Sequence, residues 1–357
     1  MPKTSTQNKR SLNEEDQGKN VVLTELKKNS ISRDVQDNGG RTPLHIAAAF
    51  GDIYTCELLI SKGATIDAID CKKTTPLHIA VATGNLVICQ LLISEGATID
   101  TIDSWNRTPL HTAAMKQYHC MCQLLISKGA AIDAIDDRKA TPLHIAVTIG
   151  NLIICQLFIS KGASIHAIDS EKKTPLHIAA ETGNLNICQL LISKGATIDA
   201  IDSKKKTPLH IAVEYGNLKI CQLLISKGGS IHAIDSEKKT PLHRAVAKGN
   251  LGICQLLISK GATIDNVDSL GETPLHTAVK TKNQAPSHQE IVRSGKCANT
   301  ENCPRGILKR EEVVKPNFQV LRMPPKPQTP IFDPKVAHDI QESTYKKNLA
   351  LISNTDQ

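Results

Sequence analysis

Thr75-Pro76-Leu77-His78 is the stretch that decides the fold, because the same four letters return at a fixed interval. The tetrad threonine stands at positions 42, 75, 108, 141, 174, 207, 240 and 273, the same step of thirty-three each time. Around it runs a longer unit, seen for instance at Asp202-Ser203-Lys204-Lys205-Lys206-Thr207-Pro208-Leu209-His210-Ile211-Ala212-Val213. Gly216-Asn217-Leu218 follow, and then Ile220-Cys221-Gln222-Leu223-Leu224-Ile225-Ser226-Lys227-Gly228.

The letters of one unit predict two helices. Thr207 can cap a helix whose first position is Pro208, where the missing N–H costs nothing. Leu209, Ala212 and Val213 fall on one helical stripe. Gly216 ends that helix and Asn217 caps the next, in which Leu218, Cys221, Leu224 and Ile225 lie at helical spacing. Lys227 faces the negative helix end and Gly228 supplies a left-handed exit. Ser230 to Lys239 then return the chain to the next tetrad. A unit this short cannot bury such a stripe alone, so neighbouring units must stack.

A fixed 33-residue period carrying Thr-Pro-Leu-His-x-Ala resembles the ankyrin repeat family over roughly residues 37–282. The resemblance implies an all-α solenoid of helix-turn-helix units with β-turn or hairpin fingers. It implies protein binding through the turn tips and the surface end of the first helix. Family turns place glycine two residues before the tetrad threonine. Gly40 and Gly271 keep it, whereas Lys73, Lys139, Lys172, Lys205 and Lys238 replace it, which calls the tip geometry into question because a left-handed residue is costlier without glycine.

The chain divides by composition. Residues 1–19 are polar and read as a disordered lead. Residues 20–36 resemble the second helix of a half repeat, since one full period before Cys56 stands Leu23, and would cap the array. Residues 37–292 hold the eight repeats, of which the last degrades after its tetrad. Residues 293–357 read as a disordered tail, with six of the seventeen prolines between Pro316 and Pro334. Gly306-Ile307-Leu308-Lys309 is similar to a short docking motif of phosphatase regulators, although no Val-x-Phe partner motif follows it.

Aromatics make up 3% of residues, so the core is expected to be aliphatic. No apolar run approaches membrane-spanning length and the first twenty residues lack a signal-peptide pattern, so neither membrane insertion nor secretion is expected. Seven of the eleven cysteines, from Cys56 to Cys254, repeat with the period of the tetrads at one apolar position. Packed helices lie about 8–10 Å apart, beyond the roughly 7 Å Cα separation a disulfide tolerates. These thiols should be buried and reduced, consistent with a cytoplasmic or nuclear chain. Cys297, Cys303 and His288 match no common zinc pattern, and no metal or cofactor is expected.

No phosphate loop, H-E-x-x-H or nucleophile elbow is present, and eight identical histidines at one structural position point to support rather than catalysis. What remains is surface. The net charge is +8, and the four positions before each tetrad threonine hold thirteen Lys or Arg against four acids. The candidate partner-binding residues are Lys72, Lys73, Trp105, Arg107, Met115, Lys139, Lys172, Lys204, Lys205, Lys206, Tyr215 and Lys238. They suit a protein with an acidic surface, set against the plainer reading of a solvated rim. Nucleic acid is disfavoured, since no aromatics other than Trp105 interleave with the cations. The expected protein is a monomeric, non-enzymatic scaffold. The alternative is an adaptor whose tail recruits an enzyme such as a phosphatase or ubiquitin ligase.

Overall fold

Each threonine–proline step starts a helix. The computed structural model describes residues 33–280, and within them fifteen helices follow one another in pairs. They are α1 (Pro43–Phe50) and α2 (Ile53–Ser61), α3 (Pro76–Thr83) and α4 (Leu86–Ser94), α5 (Pro109–Met115) and α6 (His119–Ser127), α7 (Pro142–Ile149) and α8 (Leu152–Ser160). They continue with α9 (Pro175–Thr182) and α10 (Leu185–Ser193), α11 (Pro208–Glu214) and α12 (Leu218–Ser226), α13 (Pro241–Ala247) and α14 (Leu251–Ser259), and finally α15 (Pro274–Lys280). No strand is present among the described residues. The polar lead, the half repeat at 20–36 except its last residues, the second half of the eighth unit and the tail lie outside them.

Every first helix packs on the first helix of the next unit and, up to the seventh unit, on its own second helix, whereas second helices approach each other less closely. Stacking is therefore tightest along the first-helix row. Leu209, Ala212 and Val213 are buried, as are their equivalents in the first seven units. In the second helix the stripe differs from the expected one. Leu218 is exposed, while Ile220, Cys221 and Leu224 are buried and Ile225 is half-buried. That helix is apolar at most positions, so periodicity left its buried face ambiguous; packing between its own first helix and two neighbours selects the Ile220 side. The seven periodic cysteines are free and buried. Burial pushes the thiols of Cys89, Cys122, Cys155, Cys188 and Cys221 up to about 12.

The tetrad histidine joins units together. Its Nδ1 accepts the N–H of the tetrad threonine, at 3.1 Å for His45 and 3.2 Å for His144, and the threonine hydroxyl lies 2.9 Å and 2.8 Å from the same nitrogen. With Nδ1 accepting, Nε2 carries the hydrogen. It donates to the carbonyl 29 residues on, from His45 to Thr74, His78 to Arg107, His111 to Ala140 and so on to His243 and Glu272, at 3.0–3.2 Å. One imidazole thus satisfies a helix N-terminus in its own unit and a turn carbonyl in the next.

Further bonds run between units. The amides of Thr65, Thr98, Ala131, Ser164 and Ser230 donate to the carboxylates of Asp34, Asp67, Asp100, Asp133 and Asp199, each 31 residues earlier. Asn217 stands at the start of α12 but, against the expectation from sequence, its side chain accepts no capping hydrogen bond; its Nδ2 instead donates to the Ala180 carbonyl of the preceding unit at 2.8 Å. The third unit has Tyr118 at the corresponding place, with its ring against Gly84. Its Gln117 takes the left-handed conformation (φ 61°) that glycine supplies in the neighbouring units. The irregular sequence there leaves the helix register intact.

Candidate functional site

The fingers that precede the tetrads are built on one aspartate each. Oδ1 of Asp202 accepts the amides of Lys204 and Lys206, both at 2.8 Å, and Asp70, Asp136, Asp169 and Asp235 do the same in their own turns. The main chain closes the turn, with the Asp202 amide donating to the Lys206 carbonyl and the Lys205 amide to the Asp202 carbonyl. The residue two before the threonine is left-handed in all eight fingers. Gly40 and Gly271 have φ of 74° and 73°, Asn106 has 56°, and Lys73, Lys139, Lys172, Lys205 and Lys238 have φ of 55–57°. The loss of glycine therefore does not alter the tip, because the aspartate and the turn bonds hold it. One main-chain bond links each finger to the next, for example the Ser236 amide to the Lys204 carbonyl at 2.9 Å.

This frame sorts the thirteen basic residues into two rows. Those just before the threonine are tied to carboxylates: Arg41 to Asp37, Arg107 to Asp103, Lys173 to Glu171 and Glu181, Lys206 to Glu214, and Lys239 to Glu237. The other eight (Lys72, Lys73, Arg138, Lys139, Lys172, Lys204, Lys205 and Lys238) are exposed and make no ion pair among the described residues. Lys206 is thus half-buried beneath the tips, while Lys204 and Lys205 project beside it.

The paired row is densest in the fifth to seventh units. Lys173 lies 2.9 Å from both Glu171 and Glu181; burial opposes its charge, but the two hydrogen bonds outweigh this and push its pKa up. Glu181 also accepts the Tyr215 hydroxyl at 2.7 Å. Burial of Glu181 is overcome by Tyr215 and Lys173, which hold its carboxyl below the usual range. Arg244 bridges Asp235 at 2.5 Å, Glu237 at 3.2 Å and Glu214 at 3.4 Å. The result is an open cleft lined by Lys173, Glu181, Lys204, Lys206, Glu214 and Tyr215. Among the described residues no group of three or more His, Cys, Asp or Glu side chains is placed to hold a metal ion.

Helix pairs that recur with the period of the tetrad, each preceded by a finger, agree with a family comparison. A family model for ankyrin repeats (three copies) matches residues 15–103, 88–169, 149–235 and 227–294. The chain belongs to the ankyrin repeat family. No curated protein matches it. Ankyrin repeats are protein-binding modules, and their fold is typically a non-enzymatic binding scaffold. No helix among the described residues is long and apolar enough to cross a membrane.

The third ankyrin repeat differs chemically from the rest. The Arg107 guanidinium lies over the Trp105 ring, 4.5 Å from its centre, and makes two bonds to Asp103 at 2.9 and 2.7 Å. Its Nη1 is 3.9 Å from Met115 Sδ at the end of α5. Trp105, Met115 and Tyr215 are all exposed. The candidate residues therefore fall into a tip row, the Trp105, Arg107 and Met115 group in the third repeat, and the cleft below the tips that holds Lys206 and Tyr215. Sequence reasoning overlooked the carboxylate partners. The signal was an eight-residue step between the last finger position and the end of the first helix. It reads Lys173–Glu181, Lys206–Glu214 and, with signs exchanged, Glu272–Lys280.

Proposed function

We propose that this ankyrin repeat array is a non-enzymatic scaffold that captures a protein with an acidic surface. Contact is made through the finger tips and the adjoining ends of the first helices. The observation that carries the reading is the sorting of charge: among the described residues eight exposed tip cations have no carboxylate partner, whereas the five beneath them are neutralised. Unpaired cations in register set up a one-sign potential along the edge, which steers an anionic partner during encounter. Cytoplasmic residence is part of the proposal, supported by the row of reduced thiols along the second helices.

Affinity purification followed by mass spectrometry supplies the partner, and binding rates of Lys172→Glu/Lys204→Glu/Lys205→Glu/Lys238→Glu test the surface. Association at low salt should fall about tenfold or more, and its salt dependence should flatten. Wild-type rates in this variant, with binding abolished instead by truncation at residue 292, would assign recognition to the tail.

A further inference from the structure

One row of side chains is not absorbed by the charge pattern. Six residues before each tetrad threonine from Thr75 onward stands a branched aliphatic residue: Ile69, Ile102, Ile135, Ile168, Ile201, Ile234 and Val267. All seven are 50–56% exposed, although residues of this type usually go inside. They are not needed for the core, whose aliphatic residues at the finger base are the neighbouring Ile66, Ile99, Ile132, Ile165, Ile198, Ile231 and Ile264, three positions earlier. Single exposed apolar residues are ordinary, but here one recurs at the same finger position in seven successive units, which lines them along one side of the stack.

Five of the seven, Ile69, Ile135, Ile168, Ile201 and Ile234, stand at the base of fingers whose tips carry unpaired cations, whereas the fingers of Ile102 and Val267 carry none. Within one basic finger the isoleucine and the cation are four residues apart, Ile201 and Lys205 for example, and the intervening turn is held rigid by Asp202. An occupant lying across the fingers meets an apolar contact once per repeat along one edge and, at those five fingers, positive charge along the other.

The spacing of that alternation restricts the occupant. Stacked helices are about 8–10 Å apart, so each repeat offers one apolar contact per step of that size, joined by a cation in the five basic fingers. A polyproline II chain has three residues per turn at about 3.1 Å each, so every third residue faces the same way at intervals of roughly 9.3 Å. An extended β-strand presents the same side every two residues, at about 6.6–6.8 Å, and loses register within two or three repeats. An α-helix presents a heptad position about every 10.5 Å, at the far edge of that spacing, so a polyproline II chain matches the step better. We infer that the isoleucine row and the lysine tips together form a binding track for an acidic protein segment in the polyproline II conformation, with an aliphatic residue at every third position. This deepens the proposed function and rests on its acidic-partner reading.

The test uses the full chain and fluorescein-labelled synthetic peptides read by fluorescence anisotropy. The probe is (Pro-Glu-Leu)5; controls are (Pro-Glu-Ser)5, which keeps charge and conformation, and (Pro-Lys-Leu)5, which reverses charge. The chain variants are Ile135→Ser/Ile168→Ser/Ile201→Ser/Ile234→Ser and Lys139→Glu/Lys172→Glu/Lys205→Glu/Lys238→Glu, each checked by circular dichroism. Because the isoleucines are half in solvent already, the serine variant should keep the wild-type spectrum; Ile168→Ser/Ile201→Ser serves if it does not. Saturable binding of (Pro-Glu-Leu)5, weakened at least tenfold both by Leu→Ser in the peptide and by Ile→Ser in the chain, is the expected result. Equal binding of (Pro-Glu-Ser)5, unaffected by the serine variant, would overturn the apolar track and leave the basic-tip reading standing. Failure of both acidic peptides to bind would overturn both. Isoleucine-dependent capture on phosphatidylserine vesicles without peptide binding would overturn the track in favour of a lipid surface.

Discussion

Acidification from pH 7.5 to 5.5 should destabilise the repeat stack through its histidines. His45, His78, His111, His144, His177, His210 and His243 are each at most 3% exposed, and burial lowers the pKa of all seven below the ordinary value of 6.5, against weaker raising contributions from the carbonyls they bind. Protonation would also put a hydrogen on Nδ1, facing the threonine N–H that now donates to it. The native state therefore holds these rings neutral while the unfolded chain binds protons below 6.5. Depressed native pKa values mean that the histidine contribution is complete above pH 6.5 and is lost as pH falls below it. Each ring costs up to about 1.4 kcal/mol per pH unit in that window. The seven losses run in the same direction, so the fall steepens with every ring that stays neutral in the native state while the unfolded chain is protonated. The carboxylates that are held low, such as Asp103 and Glu181, are lost only at more acidic pH and stay silent in this window. Urea titrations at half-unit pH steps, followed by far-ultraviolet circular dichroism, should show the midpoint falling steeply below pH 6.5. A midpoint that stays constant between pH 7.5 and 5.5 would refute the neutral, doubly bonded imidazole. So would a nitrogen-15 spectrum showing these rings as the Nδ1–H tautomer.

Two further outcomes concern the frame. Leu191→Ala, at a fully buried position of α10, should destabilise by about 2–5 kcal/mol, while Leu190→Ala, at the half-buried neighbour, should cost clearly less. Chemical denaturation of the two variants checks the order, and equal losses would place the buried face wrongly. Lys205→Gly should change stability by less than about 1 kcal/mol, because relief of the left-handed conformation is offset by the freedom glycine adds to the unfolded chain. Lys205→Val, with a β-branched side chain at φ 55°, should destabilise by about 1–3 kcal/mol; thermal melts of both compare them, and a harmless valine would contradict the strained tip.

The repeat period, the helix pairs and the family were legible in the letters alone, because Thr-Pro at a helix start, glycine after a helix end and a fixed repeat period are local signals. So was the purpose of the periodic cysteines, whose regular placement on an apolar helix already spoke for packing. The tip geometry was not legible. Lysine at a left-handed position looks like a departure until the aspartate is seen accepting two amides of the same turn. Nor does adjacency tell Lys205 from Lys206 unless the eight-residue step to Glu214 is noticed. They are adjacent in the chain, yet one is in solvent and the other lies 2.8 Å from Glu214. That carboxylate is eight residues on, brought near only when the finger folds back against the end of α11. The exposed face of the second helix and the isoleucine row belong to the same class. A chain with apolar residues at most positions does not say which of them water will reach, and only the stacking of one unit on the next makes that choice.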